Sequence, residues 1–415
     1  MTSAPSSRAQ QLLAVHSLAW LSVACAIGEL MALLLLVPQA GEALGALTYG
    51  RWAALHLDIA LYGWCALPLV GLLLRFYRVD EGDARAARFA IQAWSGTLLA
   101  GALVWLAGSS SGKVFLDWSG FTRWLFVGLL LLLAGVLASG PREARARPGL
   151  ARVGLLVALL TVPVAMLVAT SRGTYPPVNP ASGGPTGADL LGSTLLVLAI
   201  FLATPAILGL HRPEHRRATL GLGALLAAQV VLFAVVRRGE STHHDPLQIA
   251  ALATLALWAW PLPRYLARFA WPAGARAWLV AFLGWGGALV ASGLGSFLPG
   301  VLENVKFTNV LVGHAHIAMA GMASSFGALL LLVLGQGGAA AHALSARVPF
   351  VAWHAGTVVH VAAVTAVGAL EAADPGVLFR PEPTVTALYL ARAIAGLAMF
   401  AAAATWLRRA AAGLA

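Results

Sequence analysis

Thr308-Asn-Val-Leu-Val-Gly-His-Ala-His-Ile-Ala-Met-Ala-Gly-Met-Ala-Ser-Ser-Phe-Gly-Ala-Leu-Leu-Leu-Leu-Val-Leu334 runs for 27 residues without one Asp, Glu, Lys or Arg. A helix rises about 1.5 Å per residue, so roughly 20 apolar residues cross the ~30 Å hydrocarbon layer of a bilayer. This stretch is long enough. Comparable ones recur along the chain, and the pattern predicts helices over about 11–37, 51–75, 87–108, 121–139, 150–170, 188–210, 217–237, 246–264, 277–298, 308–334, 348–370 and 385–407. The expected fold class is all-α, a polytopic membrane protein of about twelve transmembrane helices forming a single transmembrane domain over 1–415.

Composition excludes the soluble alternatives. Of 415 residues, 60% are hydrophobic and only 10% charged, against roughly 25% charged in soluble domains. The net charge of +11 does not point to nucleic acid, because the basic residues are scattered through short loops. They favour alternate loops: Arg75, Arg78, Arg85 and Arg88; Arg142, Arg145, Arg147 and Arg152; Arg212, Arg216 and Arg217; Arg264, Arg268 and Arg276; Arg347. Arg408 and Arg409 follow the last helix, and Arg237–Arg238 is the exception. By the positive-inside rule both termini face the cytoplasm, which implies a multi-pass protein of a bacterial-type inner membrane. The segment 1–11 leads into an apolar run longer than a signal-peptide core, so a retained first helix is expected. Cys25 and Cys65 lie in apolar runs and define neither a disulfide framework nor a thiolate metal site. Residues 171–187 are rich in Pro and Gly and read as an irregular external segment.

The histidines carry the chemistry. His56, His314 and His316 each fall a few residues inside helices two and ten, both of which enter from the outer face. At about 1.5 Å per residue all three lie at matched depth, roughly 8–12 Å from the helix starts. Positions i and i+2 are about 200° apart on a helix, so His314 and His316 cannot easily chelate one metal. They can serve two cofactors on opposite sides, and neutral imidazole is an ordinary axial ligand of haem iron. One of them paired with His56 gives a bis-His haem; the other leaves a second haem with an open position. The alternative is three buried histidines hydrogen-bonded to backbone or to Asp58.

At Gly313-His-Ala-His-Ile-Ala-Met-Ala-Gly321 the sequence resembles the tenth helix of subunit I of the haem-copper oxidases, most closely the cbb3-type cytochrome oxidases and the related nitric oxide reductases. The approach segment Gly295–Asn309, Phe350-Val-Ala-Trp-His354 and Tyr389-Leu-Ala-Arg-Ala-Ile-Ala-Gly396 resemble that family's preceding loop and its eleventh and twelfth helices. The likeness is clear over 277–407, moderate over 50–140 and faint between. It implies that His56 and His316 hold a low-spin haem b and that His314 holds a high-spin haem, making two haems. Arg237, Arg238 and Arg392 are candidate partners for haem propionates.

The sequence also departs from the family pattern. Ala188 stands where the family's sixth-helix copper ligand is expected, Val236 with Arg237 or Arg238 stands near the expected seventh-helix pair, and helices six and seven lack tyrosine. His243–His244, with Asp189 as a further ligand candidate, is the remaining candidate second-metal site; the alternative is that the pair caps the eighth helix beside Asp245 and Pro246. Expected cofactors are therefore two haems without evident copper. Expected partners are the bilayer and other membrane or cytochrome subunits of a respiratory complex, since no Cys-x-x-Cys-His haem c motif is present. Glu29 and Asp58 are intramembrane carboxylates suited to a proton relay or a ligand hydrogen bond, with a structural contact as the default for Glu29. His360 is placed near the midplane, within reach of a haem edge, with a hydrogen-bonded core residue as the default; His354 is expected to lie near the opposite surface, and His16, His211, His215 and His342 to be interfacial or loop-borne.

The expected function is electron transfer or diatomic-ligand binding by a haem-bearing membrane redox protein. Two rivals stand beside it: a working oxidase or nitric oxide reductase with a second metal at His243/His244, and a haem-free scaffold or transporter.

Overall fold

The computed structural model describes residues 7–82, 84–141, 149–179, 190–210, 216–236 and 244–414. The chain is all-helical among these. Twelve helices there are long and apolar enough to cross a membrane: α1 (Arg8–Leu36), α2 (Tyr49–Phe76), α3 (Ala84–Leu106), α4 (Gly120–Ala138), α5 (Leu150–Ala169), α6 (Leu190–Ile207), α7 (Thr219–Val236), α8 (Pro246–Ala267), α9 (Ala275–Ser296), α10 (Asn309–Leu334), α11 (Arg347–Ala373) and α12 (Pro383–Ala411). Each overlaps a helix expected from the sequence, and the chain is a multi-pass membrane protein.

Chain punctuation is set by local chemistry. The Asp245 carboxylate accepts from the Leu247 amide at 2.9 Å and Pro246 takes the first position of α8, where a missing N–H is harmless. The Thr308 hydroxyl accepts from the Val310 amide at the start of α10. Glu371, near the end of α11, accepts from both the backbone and the side-chain amide of Asn309 at 2.9 and 3.1 Å. That clamp ties the entry of α10 to the exit of α11 at one end of the bundle.

Helix α1 packs on α2, α3 and α12; α12 packs on α11, α11 on α10, and α10 on both α9 and α2. Five helices, α1, α2, α10, α11 and α12, thus surround a common interior. α5 and α7 lie at the periphery and bury little of their surface.

Two of the five share an irregularity. In α2 the turns Ile59–Cys65 are π-helical, and in α10 so are Ile317–Ala323. Each begins immediately or shortly after a histidine, His316 in α10 and His56 in α2. Such wide turns gather at functional sites, and the change of register leaves a carbonyl short of its usual helical partner. In a bilayer that carbonyl needs another donor. Trp94 from α3 donates its indole N–H to the Tyr62 carbonyl at 2.8 Å, and Trp353 from α11 donates to the Ala320 carbonyl at 3.0 Å. Ser324 donates to Met319 at 2.8 Å and accepts from the indole of Trp64 at 2.7 Å, joining the two irregular helices. Buried bonds of this kind contribute about 1 kcal/mol each.

Candidate haem site

Tautomer comes first, because only an unprotonated ring nitrogen binds a metal. His56 Nδ1 meets the Ala24 carbonyl at 2.9 Å and His316 Nδ1 the Val312 carbonyl at 2.8 Å, and a carbonyl can only accept. Both Nδ1 atoms must donate, so each neutral ring keeps its lone pair on Nε2. His314 arrives at the same state by another route. The Ser292 hydroxyl lies 2.9 Å from His314 Nδ1, and with its one hydrogen given to the Ala288 carbonyl at 2.8 Å it accepts from a protonated Nδ1. His342 makes the same contact, to Gly338, in the short helix between α10 and α11. The tautomer by itself therefore does not mark a ligand; enclosure and mutual placement do.

His56 and His316 meet. Their ring centroids are 6.5 Å apart with planes inclined by 24°, and both line a cavity of about 280 Å³. Two metal–nitrogen bonds of about 2 Å, plus about 1 Å from each nitrogen to its ring centre, require a separation of about 6 Å for two axial imidazoles on one metal. The observed separation fits that requirement. The approach depends on Gly28 of α1: a Cβ there would stand 2.9 Å from His56 Cε1.

The rest of the cavity wall is mostly apolar, including Leu21, Ala53, Val312 and Met399, with a few polar groups. Arg392 lines it, is only 6% exposed, and has no partner for Nε. Glu29 lines it too, with Oε2 unpartnered. The two form no ion pair, among the described residues. Glu29 attracts the Arg392 guanidinium without closing an ion pair, a buried cation is costly in a membrane interior, and an anionic group bound in the cavity would add to its neutralisation. Two facing imidazoles, an apolar slot and a buried cation are the donor set that a haem carrying propionates needs.

His314 is elsewhere. Its ring faces α9, bonded to Ser292, with Cε1 3.4 Å from where a Cβ on Gly293 would be. The i,i+2 spacing has directed the two histidines to different neighbours.

His360 is buried and joins the cavity wall, the less expected of the two placements that its sequence position offered. Its ring centroid is 4.3 Å from that of His316. Neither ring nitrogen makes a hydrogen bond of ordinary geometry, although the backbone of Arg392 is close enough to interact with the ring. His354 lies apart, accepting from the Trp285 indole at 3.1 Å beside Trp278 and Phe350. His16 bonds Ser95 at 2.6 Å between α1 and α3, deeper than an interfacial position. Asp58 is fully buried and accepts from the Asp117 amide at 3.3 Å rather than from a histidine.

Arg237, Arg238, His243, Ala188, Asp189, His211 and His215 lie outside the described residues. His244 is exposed, its Nδ1 3.9 Å from Glu303. Among the described residues no cluster of three or more His, Cys, Asp or Glu side chains could hold a metal ion. Sequence reasoning missed the cavity roles of Cys25 and Cys65, which line its wall; their helical phase relative to Gly28 and His56 was the available signal.

No protein-family model matches this sequence, and no curated protein matches it.

Proposed function

We propose that the chain is a haem-bearing membrane redox protein of oxidase subunit I type, with a low-spin haem b between His56 and His316 and a second, ligand-accessible haem on His314. The 6.5 Å separation of two imidazoles with free Nε2 atoms is the observation that carries it. Bound there, a haem supplies a reversible one-electron couple. The chain's own residues do the rest. The Ala24 and Val312 carbonyls hold both rings in the ligating tautomer and make them better donors. Arg392 binds and orients an anionic periphery, and the apolar wall excludes water. Bis-imidazole ligation suits electron transfer, whereas His314, lacking an opposed imidazole among the described residues, suits a diatomic ligand.

In this proposal both termini are cytoplasmic, the membrane is a bacterial-type inner membrane, and redox partners are other membrane or cytochrome subunits. Copper is absent, so the chain alone does not reduce oxygen at oxidase rates. A reduced-minus-oxidised optical spectrum of the purified full chain tests the proposal. A low-spin b-type α-band supports it, and a haem-free spectrum leaves the scaffold or transporter alternative.

A further inference from the structure

His360 is the one histidine of the cavity that nothing described so far uses. It lies on α11, whereas the proposed axial pair lies on α2 and α10, and it is 8% exposed with both ring nitrogens unpartnered. His56, His314 and His316 each have Nδ1 fixed by a carbonyl or hydroxyl; His360 does not. A buried polar ring without hydrogen bonds destabilises the fold, and Phe or Leu would fill the volume without that cost. Its ring is nevertheless aimed at the cavity and rests against His316, centroid to centroid 4.3 Å, planes 36° apart. The two helices are packed tightly here: a Cβ on Gly313 would overlap the Thr365 hydroxyl, and one on Gly368 would overlap the backbone of Val310. A change of side-chain rotamer at His316 and at His360 is the motion that an exchange of the two rings requires.

We propose that His360 is a stand-by axial ligand, a third imidazole that takes the iron position of His316 when that ring leaves. This rests on the haem b site proposed above. The exchange breaks one iron–nitrogen bond and makes another. It moves no electron, and no proton leaves, because neutral His360 already has one unprotonated nitrogen. It would let the site remain six-coordinate through a displacement of α10 that pulls His316 away.

The test uses the purified full chain, with pyridine haemochrome for haem per chain and near-infrared magnetic circular dichroism for the axial pair. Wild type, His360→Ala, His316→Ala and the double variant are compared. The expected result is a bis-imidazole charge-transfer band in the first three and its loss from the double variant, with imidazole added to the double variant restoring it. If His316→Ala already matches the double variant, or shows a histidine–methionine band from Met319 or Met399, the proposal is overturned. Should His316→Ala fail to accumulate, His316→Gly is produced with imidazole filling the gap, which is then washed out. Return to the bis-imidazole band only when His360 is present supports the exchange; high-spin iron in both backgrounds overturns it. Haem in wild type that keeps its low-spin band in His360→Ala but loses it in His316→Ala, with His360 present, removes this inference alone. A wild type without haem removes the site itself.

Discussion

Gly28 and His56 are in contact across the α1–α2 interface, and the contact leaves no room for a methyl group: a Cβ on Gly28 would lie 2.9 Å from His56 Cε1. The ring it meets is also held by the Ala24 carbonyl, one helical turn earlier on the same helix. One turn of α1 therefore both orients the imidazole and limits how far it can move. Gly28→Ala is expected to push the ring from its place, costing about 1–3 kcal/mol as an overpacked core does. Haem content and thermal midpoint should both fall, and an unchanged midpoint with full haem content would contradict this use of Gly28.

Arg392 makes a prediction in which two readouts move in opposite directions. Its guanidinium is buried with Nε unpartnered and with Glu29 attracted but not ion-paired, so Arg392→Met should leave the apoprotein about as stable or more stable. Haem retention should fall, because the propionate partner is gone. Thermal unfolding of apoprotein and haem titration of the same preparation check the pair. A variant that is less stable without haem and binds haem as well as wild type would assign Arg392 a structural role.

The His314 prediction concerns the second haem. Carbon monoxide should shift the Soret band of the reduced protein, and His314→Ala should abolish the shift while keeping the low-spin α-band. Ser292→Ala removes the acceptor that fixes the tautomer and should weaken haem retention at this position; loss of such an outer partner typically costs 10–100-fold in metal affinity. A carbon monoxide response surviving in His314→Ala would move the ligand-accessible haem elsewhere.

Metal analysis should find iron without stoichiometric copper. The sequence basis is Ala188 and the Arg237–Arg238 pair, where cationic side chains favour an anion over a copper ion. An anomalous copper signal beside the high-spin iron, contacted by His243 or His244, would instead restore the oxidase or reductase alternative.

Hydropathy and spacing made the helices legible, because a bilayer imposes length and composition on every span. The matched depth of His56 and His316 was legible for the same reason: both are counted from helix starts at one end. The π-helical turns were not, since a one-residue change of register leaves no signature in apolar composition. His360 was only partly legible: counting residues along α11 placed it near the midplane, within reach of a haem edge, without revealing that its ring would rest on His316. The unpartnered Nε of Arg392 was likewise a matter of tertiary placement.

The central claim is that His56 and His316 bind one haem between them. The most direct measurement is the reduced-minus-oxidised spectrum of the purified protein beside His56→Ala, with haem and protein quantified on the same samples. A low-spin b-type α-band in the wild type and its loss from a membrane-inserted His56→Ala is the predicted result. An α-band of equal size in both proteins, or none in the wild type, would contradict it.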